Sequence, residues 1–304
     1  MVEQGRGMVL ISMLMTVASC APPIARHSHY GQRDDHEIVD ERDQIIIQQS
    51  RHTGLVVTND DIDISAARTL TLRTRQLSEK FKTCPNVRYS WQDVVGHCSA
   101  IAVAPDLVLT AKHCLALPSP TKIAPDKYFV VFGYRYARGE SLAKQVAPGQ
   151  WHRITDVVDV ATPQSGSDWI LVRVAPRIQD TNLGALVMGP EAVTAEVYSL
   201  GHPLGLPLKV TAGRVRLVNK ASILTSLDTY PGASGAPVFL KGSHRFVGMV
   251  AAGAGGLVQR GECFDDVEGP EDGAPGTRVI PVAHFIKALT DHAKWPPLPP
   301  RTAP

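Results

Sequence analysis

The sequence predicts an all-β protein with antiparallel sheets and one closing helix. Short β-rich runs, separated by Gly, Pro and Asp, follow one another from Cys84 onward. Such runs are typical of an antiparallel sandwich or barrel rather than of alternating strands and helices. The length of 304 residues, with 44% hydrophobic content, is enough to bury one large core or two moderate ones. The predicted strands are residues 100–103, 107–110, 128–136, 169–174, 193–200, 208–218, 222–227, 236–240 and 246–251.

The closing helix is predicted at about residues 281–293. Pro281 stands in its first turn, where proline is tolerated. Its apolar residues recur at i, i+3, i+4 and i+7, as on the buried face of a helix. These residues are Val282, Phe285, Ile286 and Leu289. The proline-rich residues 295–304 are expected to form a disordered tail.

Residues 1–19 are predicted to be an export signal. Their apolar run, residues 8–18, is too short to span a bilayer as a helix, which needs about 20 residues. The run ends in Val17-Ala-Ser-Cys20, which resembles the lipobox of bacterial lipoproteins. This resemblance implies a lipid on Cys20 and attachment to a membrane in the cell envelope, on the periplasmic face or the cell surface. Ordinary secretion with cleavage nearby is the alternative.

The segment after the signal is expected to be mostly a tether, residues 20–61, because it is rich in charge and histidine. Within it, residues 44–47 and 55–57 are short strand-like pieces that could pack on the edge of the domain. Residues 61–82 are expected to be partly helical.

Charge and cysteine content narrow the function further. Lys and Arg number 31 against 29 acidic residues, a net charge of +2, which excludes a dedicated nucleic-acid binder. Lipidation of Cys20 would leave four of the five cysteines, an even number suited to disulfides in an oxidising compartment. The pairs His97-Cys98 and His113-Cys114 could be read as a zinc set, but their long, irregular spacing argues against it. No metal and no cofactor is predicted.

Three segments, in chain order, carry the residue types of nucleophilic catalysis. A strand in residues 98–114 delivers His113, Asp168 directly precedes an apolar strand, and glycines bracket Ser234. A serine hydroxyl becomes a good nucleophile when an imidazole accepts its proton and a carboxylate fixes the imidazole tautomer. The backbone N–H groups of Gly232 and Ser234 could stabilise the developing oxyanion, which is typically worth about 3–4 kcal/mol.

These segments resemble the signature of chymotrypsin-fold serine peptidases. Leu109-Thr-Ala-Lys-His-Cys resembles the family's Thr-Ala-x-His-Cys, Asp168-Trp-Ile-Leu its Asp-x-x-Leu, and Gly232-Ala-Ser-Gly-Ala-Pro its Gly-x-Ser-Gly-x-Pro. The lysine before the histidine and the Asp228-Thr-Tyr sequence are similar to the bacterial glutamyl-endopeptidase-like branch. The resemblance covers about residues 84–289. It implies two six-stranded antiparallel β-barrels and a C-terminal α-helix: a peptidase domain at 62–294, with a first barrel at about 84–185 and a second at about 186–279.

The resemblance also implies the role of each residue. His113 would be the general base, Asp168 would orient it, and Ser234 would attack a protein or peptide substrate to form an acyl-enzyme. Gly232 and Ser234 would form the oxyanion hole. Ala233 replaces the aspartate that regulated members pair with a new N-terminus, so activity is expected not to depend on cleavage near residue 84. We expect a monomer.

The cysteine pairing follows from the same resemblance. In the family, a disulfide equivalent to Cys98–Cys114 closes a loop over the catalytic histidine. A loop of about 15 residues is worth roughly 3 kcal/mol in the chain-entropy model. By elimination, Cys84 is then expected to pair with Cys263.

Two interpretations of the residues that would form the specificity pocket remain. Counting back from Ser234 places Asp228 where trypsin-like members hold the acid that attracts Arg and Lys. The glutamyl endopeptidases instead use a threonine, here Thr229, and a histidine whose position is taken by Val250.

Other functions remain as alternatives. One is a catalytically silent relative that serves as a binding module, and another is a purely structural envelope lipoprotein. An α/β-hydrolase esterase is disfavoured. Such an enzyme needs Gly-x-Ser-x-Gly around the nucleophile and the chain order Ser, acid, His. Here residue 236 is Ala, and His113 and Asp168 precede Ser234.

Overall fold

The computed structural model describes residues 29–66, 68–116, 123–138, 141–179, 194–253, 255–270 and 276–295. Within these described residues, the principal elements are twelve strands in two closed barrels and three α-helices. The first six strands are β1 Thr53–Thr58, β2 Cys98–Ala104, β3 Leu107–Ala111, β4 Tyr128–Phe132, β5 Trp151–Val160 and β6 Trp169–Ala175. The second six are β7 Glu196–Gly201, β8 Lys209–Val218, β9 Ile223–Thr225, β10 Pro237–Leu240, β11 Phe246–Ala252 and β12 Thr277–Pro281. The helices are α1 Gln44–Gln49, α2 Leu77–Phe81 and α3 Ile286–Ala293.

Both barrels are antiparallel and have the same strand order. The first closes in the order β1-β2-β3-β6-β5-β4 and the second in the order β7-β8-β9-β12-β11-β10. Closure leaves no exposed sheet edge in either barrel. The predicted chymotrypsin-type pair of six-stranded barrels with a C-terminal helix is therefore confirmed, although no repeat is visible in the sequence.

Smaller elements connect the barrel strands. Short strands occur at His29–Tyr30, His36–Glu37, Ile62–Ile64, Leu70–Leu72, Arg75–Gln76, Asp93–Val94, Gln145–Val146, Val258–Arg260, Cys263–Asp265 and Glu268–Gly269. Single 3₁₀ turns occur at Ile38–Asp40, Ser50–His52, Asn59–Asp61, Lys112–Leu115, Pro125–Lys127, Pro163–Ser165, Pro203–Gly205 and Val282–His284.

The prediction of a tether over residues 20–61 is wrong from residue 29 onward. β1 is a full strand of the first barrel, paired with β2 and β4, so this barrel begins well before residue 84. Its residues Leu55, Val56 and Val57 are fully buried, which explains why the short apolar run joins the core. Residues 20–28 lie outside the described residues, as does the predicted signal.

The strand-like prediction at residues 44–47 is also wrong, because these residues start α1. The Asp43 side chain accepts hydrogen bonds from the amides of Ile45 and Ile46 and caps the helix. This cap outweighs the β-preference of three consecutive isoleucines. Among the described residues of the range 61–82, only α2 is α-helical.

The closing helix holds the two barrels together. Its 3₁₀ turn and α3 span residues 282–293, as predicted, and Phe285 packs against Trp169 of the first barrel and Phe246 of the second. Trp295 does not belong to a disordered tail, since its ring is buried and its indole N–H donates to the Val103 carbonyl at 2.7 Å. The rest of the predicted tail, residues 296–304, lies outside the described residues.

The N-terminal strap, defined here as residues 29–40, runs across the second barrel. His29–Tyr30 pairs in parallel with Glu268–Gly269, and His36–Glu37 extends β8. The buried ammonium of Lys209 forms an ion pair with Glu37 at 2.9 Å. The strap is therefore an integral part of the fold.

Candidate active site

His113 and Asp168 are brought together by the pairing of two strands. β3 ends just before His113, and Asp168 directly precedes β6, in which Trp169 pairs with Ala111. The His113 Nδ1 atom lies 2.6 Å from Asp168 Oδ2, and the His113 amide donates to Asp168 Oδ1 at 3.1 Å. A neutral imidazole that donates from Nδ1 leaves Nε2 as a proton acceptor. An imidazole and a carboxylate in this arrangement could act as a general base and the group that orients it.

Ser234 lies in a turn that is pressed against the first barrel. The Ser99 amide of β2 donates to the Ser234 carbonyl at 2.8 Å, and the Gly235 amide donates to the Val250 carbonyl at 2.7 Å. Gly235 has φ +85°, and a Cβ atom there would lie 2.1 Å from the Ser99 carbonyl oxygen. Only glycine fits this approach. The serine of the second barrel thus sits against the barrel that carries His113 and Asp168.

The Ser234 hydroxyl is bonded to the backbone in this structure. It donates to the Ala251 carbonyl at 3.3 Å, and Ser234 is nine-tenths buried, with 9% of its surface exposed. No hydrogen bond joins the described side chains of His113 and Ser234. For His113 to act as base, the hydroxyl has to exchange the Ala251 carbonyl for Nε2.

The backbone beside Ser234 presents two amide donors. Among the described residues, neither the Gly232 nor the Ser234 amide donates to a protein acceptor. Gly232 has φ +99°, and a Cβ atom there would lie 2.7 Å from the His202 carbonyl oxygen. The Gly232 carbonyl is held by the Ser99 hydroxyl at 2.9 Å, which orients this peptide. These are the two amides that the sequence assigns to an oxyanion hole.

The three residues of the predicted specificity pocket are all buried. Val250 is fully buried in the hydrophobic core of the second barrel. The Thr229 hydroxyl contacts the hydroxyl of Thr277 at 2.6 Å, and a Cβ atom on Gly253 would lie 2.8 Å from the Thr229 carbonyl oxygen. The chain segments that carry Thr229 and Gly253 therefore touch.

Asp228 is occupied by the N-terminal strap. The Tyr30 amide donates to Asp228 Oδ1 at 2.7 Å, while Oδ2 has no hydrogen-bond partner among the described residues. Burial raises the pKa of Asp228 to about 8, which favours the protonated, neutral carboxyl at pH 7. A neutral, buried carboxyl with this partner is not an open site for a Lys or Arg side chain.

Sequence reasoning did not identify Tyr30 or Ser99 as site-supporting residues. Tyr30 stands in the segment assigned to a tether. Ser99 follows a cysteine inside a strand, and its hydroxyl accepts from the His202 amide at 2.9 Å while it donates to Gly232. No local pattern marks such a bridging hydroxyl.

Both predicted disulfides are confirmed. Cys98–Cys114 lies beside His113, and Cys84–Cys263 ties the end of α2 to the hairpin of residues 258–265. Cys98, His113 and Cys114 bring potential metal-ligand atoms within 4.8 Å of one another, but both sulfurs are bonded in the disulfide and are not thiolates. The two disulfides are compatible with an extracytoplasmic or secreted protein. Within the described part of the chain, the model contains no helix with the length and apolar character needed to cross a membrane.

A solved structure and a family model agree with the fold described above. The human heparin binding protein has the same fold, with a TM-score of 0.51 at 12% identity, over 89% of this chain and 100% of that protein. An inactive serine-to-alanine mutant of Rv3671c from M. tuberculosis H37Rv matches with a TM-score of 0.48 at 14% identity, over 89% of this chain and 98% of the other. No curated protein sequence matches the chain. The family model of the trypsin-like peptidase domain matches residues 98–249, which contain His113, Asp168 and Ser234. The chain therefore belongs to the trypsin-like peptidase domain family.

Proposed function

We propose that the protein is a serine endopeptidase that cleaves peptide bonds through an acyl-enzyme. The observation that carries the proposal is the contact between Asp168 and His113, formed at the side of the first barrel against which the Ser234 turn packs. The carboxylate on Nδ1 keeps Nε2 free to accept a proton, which is the requirement for activating a serine.

In the proposed reaction, Ser234 Oγ attacks the scissile carbonyl carbon while its proton moves to His113 Nε2. The carbonyl oxygen becomes an oxyanion, which the amides of Gly232 and Ser234 stabilise. The tetrahedral intermediate collapses, the C–N bond breaks, and His113 gives its proton to the leaving amine. Water then attacks the acyl-enzyme with His113 again as base, and this releases the acid and restores Ser234.

A second candidate is a catalytically silent binding module. The bond from the Ser234 hydroxyl to the Ala251 carbonyl favours this candidate, because a hydroxyl held there is not positioned to transfer its proton to His113.

A fluorophosphonate probe separates the two candidates. In an active site, Ser234 Oγ attacks the phosphorus of the probe, its proton passes to His113 and fluoride leaves. The intact mass then increases by the phosphonyl group less one hydrogen. We expect labelling of the wild type, none of Ser234→Ala, and normal labelling of Ser165→Ala, which removes an exposed serine near Asp168. A folded wild-type protein that is neither labelled nor able to cleave a peptide library would support the silent module.

We also propose that the protein is exported and attached to a bacterial envelope through a lipid on Cys20. The support is the lipobox-like sequence before Cys20 together with two disulfides formed by the other four cysteines. Growth with radioactive palmitate should label the wild type but not Cys20→Ala, and labelling that survives this substitution would refute the proposal. The Lys112-His and Asp228-Thr-Tyr sequences support placement near the glutamyl-endopeptidase-like branch.

A further inference from the structure

A groove of about 370 Å³ is lined by residues of the N-terminal strap and by the chain that follows β4. Its lining contains three aromatic side chains, Tyr89, Trp91 and Tyr136. The centres of the Trp91 and Tyr136 rings are 6.2 Å apart, with an angle of 44° between the ring planes. Trp91 is 63% exposed, and exposed tryptophan and tyrosine rings that lie together are typical of binding sites.

The segment that carries Tyr89 and Trp91 is held in place by its own contacts. The Tyr89 hydroxyl donates to the Asp35 carbonyl at 3.3 Å, and the Lys209 ammonium lies 4.6 Å from the centre of the Tyr89 ring. The Gln92 amide donates to the Tyr89 carbonyl at 2.8 Å and closes a turn that contains Trp91. A groove that is ordered before a ligand arrives lowers the entropic cost of binding.

The polar part of the groove offers one carboxylate to a basic group. Glu37 is already paired with Lys209 at 2.9 Å. Asp40 is exposed and forms no salt bridge among the described residues. Because Arg138 also lines the groove, a basic group of a ligand has to bind at the Asp40 side of it.

Aromatic rings beside an unpaired carboxylate suit a proline-rich segment that carries a basic residue. Such segments favour the polyproline II conformation, which loses little entropy on binding, and they dock in grooves lined by aromatic side chains. The chain has a segment of this composition directly after Trp295. Its sequence, Pro296-Pro-Leu-Pro-Pro-Arg-Thr-Ala-Pro304, contains five prolines and Arg301. The segment therefore matches both the apolar and the charged part of the groove.

The groove is within reach of this segment. The Trp295 indole donates to the Val103 carbonyl at 2.7 Å, near the C-terminal end of β2. β2 and β4 flank β1 and are both antiparallel to it, so their C-terminal ends lie about two strand spacings, or roughly 10 Å, apart. Arg135 donates to the Ser50 hydroxyl at 2.9 Å, which keeps the chain just before Tyr136 at this end of the barrel. Six residues in polyproline II span about 19 Å, so the segment is long enough to reach the groove.

We propose that residues 296–304 bind in this groove of the same chain as an extended proline-rich segment. Proline rings would pack between Trp91 and Tyr136, and Arg301 would pair with Asp40. The contact would fasten the C-terminal end of the chain to the strap. It neither uses nor requires the proposed peptidase activity.

A labelled copy of the segment tests the proposal on the full chain. The probe is an amidated nonapeptide with the sequence of residues 296–304 and a neutral dye at its N-terminus, and binding is read by fluorescence anisotropy. The tail variant carries P297S, P300S and R301S in the full chain, so its own segment no longer competes. We expect it to bind the probe about ten-fold more tightly than the wild type. The reason is that a tethered segment at an effective concentration of about 1 mM competes with a probe whose Kd is about 0.1 mM.

Substitutions added to the tail variant locate the site. W91A should weaken probe binding by about ten-fold or more, because exposed aromatic anchors carry much of the binding energy. L217A, which shortens an exposed side chain of β8 outside the groove, should leave binding unchanged. D40N should weaken binding by up to about five-fold, and replacing the probe arginine by alanine should weaken binding to D40N no further.

Three results with the probe would overturn the proposal. They are no binding to the tail variant, equal binding to the tail variant and the wild type, or binding that W91A or D40N leaves unchanged. Sedimentation of the wild type and the tail variant tests for binding between copies. A wild-type dimer that the tail variant does not form would place the segment on a second copy and would also overturn binding within one chain.

Discussion

Asp228→Asn tests the contact between the N-terminal strap and the second barrel. Burial raises the pKa of Asp228 to about 8, against about 3.9 in an unfolded chain. Between pH 4 and pH 8, Asp228 of the folded protein holds a proton that the unfolded chain has released. The contribution of Asp228 to stability is therefore fully present below pH 4 and is lost as the pH rises toward 8. The loss is about 1.4 kcal/mol per pH unit, or about 3 kcal/mol between pH 5 and pH 7.

Asparagine has the shape of the protonated acid and can still accept the Tyr30 amide through its carbonyl oxygen. The stability of Asp228→Asn minus that of the wild type should therefore grow by about 3 kcal/mol from pH 5 to pH 7. Urea denaturation at pH 5, 6 and 7 with both disulfides intact measures this difference. Asp126→Asn, which removes an exposed carboxylate, controls for the change in net charge. A difference for Asp228→Asn that does not change with pH would show that the carboxyl is ionised in the folded protein and would refute the reasoning.

Three further predictions concern the site and its supports. Asp168→Asn should lower kcat by about 10⁴, because the amide would favour the wrong tautomer of His113, and unchanged peptide cleavage would contradict the assignment. Replacing Cys84 and Cys263 by serine opens a loop with a sequence separation of 179 residues, and urea denaturation should show a loss of about 5 kcal/mol in the chain-entropy model. A loss below about 2 kcal/mol would mean that the unfolded chain gains little conformational freedom when this disulfide is removed. Trp295→Phe removes a buried N–H donor and should lower the free energy of unfolding by about 1–2 kcal/mol, whereas an unchanged value would place residue 295 in a solvated tail.

The fold was predictable where apolar runs are continuous. β2, β3, β6 and β11 are such runs, and each was predicted within two residues of its observed ends. β5 was missed because its ten residues include charged, exposed side chains, so neither a continuous apolar run nor a clean alternation marks it. β12 was missed because Arg278 and Pro281 interrupt a short apolar run. Both β5 and β12 are held in their barrels by hydrogen bonding to neighbouring strands.

The Cys98–Cys114 disulfide and the contact between His113 and Asp168 were predictable because the family resemblance implies them, whereas the Cys84–Cys263 disulfide followed only by elimination. The orientation of the Ser234 hydroxyl was not predictable, since its acceptor, the Ala251 carbonyl, is a backbone group that no side-chain motif specifies. The ion pair between Lys209 and Glu37 was also beyond reach. It joins residues 172 positions apart in the sequence. A lysine in a strand is ordinarily expected to face solvent, but the Lys209 side chain is fully buried.

The packing of residues 29–40 on the second barrel shortens the reach of the proposed lipid anchor. A tether from Cys20 to Asp61 could extend to about 140 Å, at up to about 3.5 Å per residue. Because the strap joins the second barrel at His29, only nine residue steps remain between Cys20 and the fold, and their reach is at most about 30 Å whatever their conformation. That is about the diameter of a small domain. If Cys20 carries the lipid, the strap contact at Asp228 lies on a barrel held near the membrane, and substrates would have to reach Ser234 there rather than at a distance from the surface.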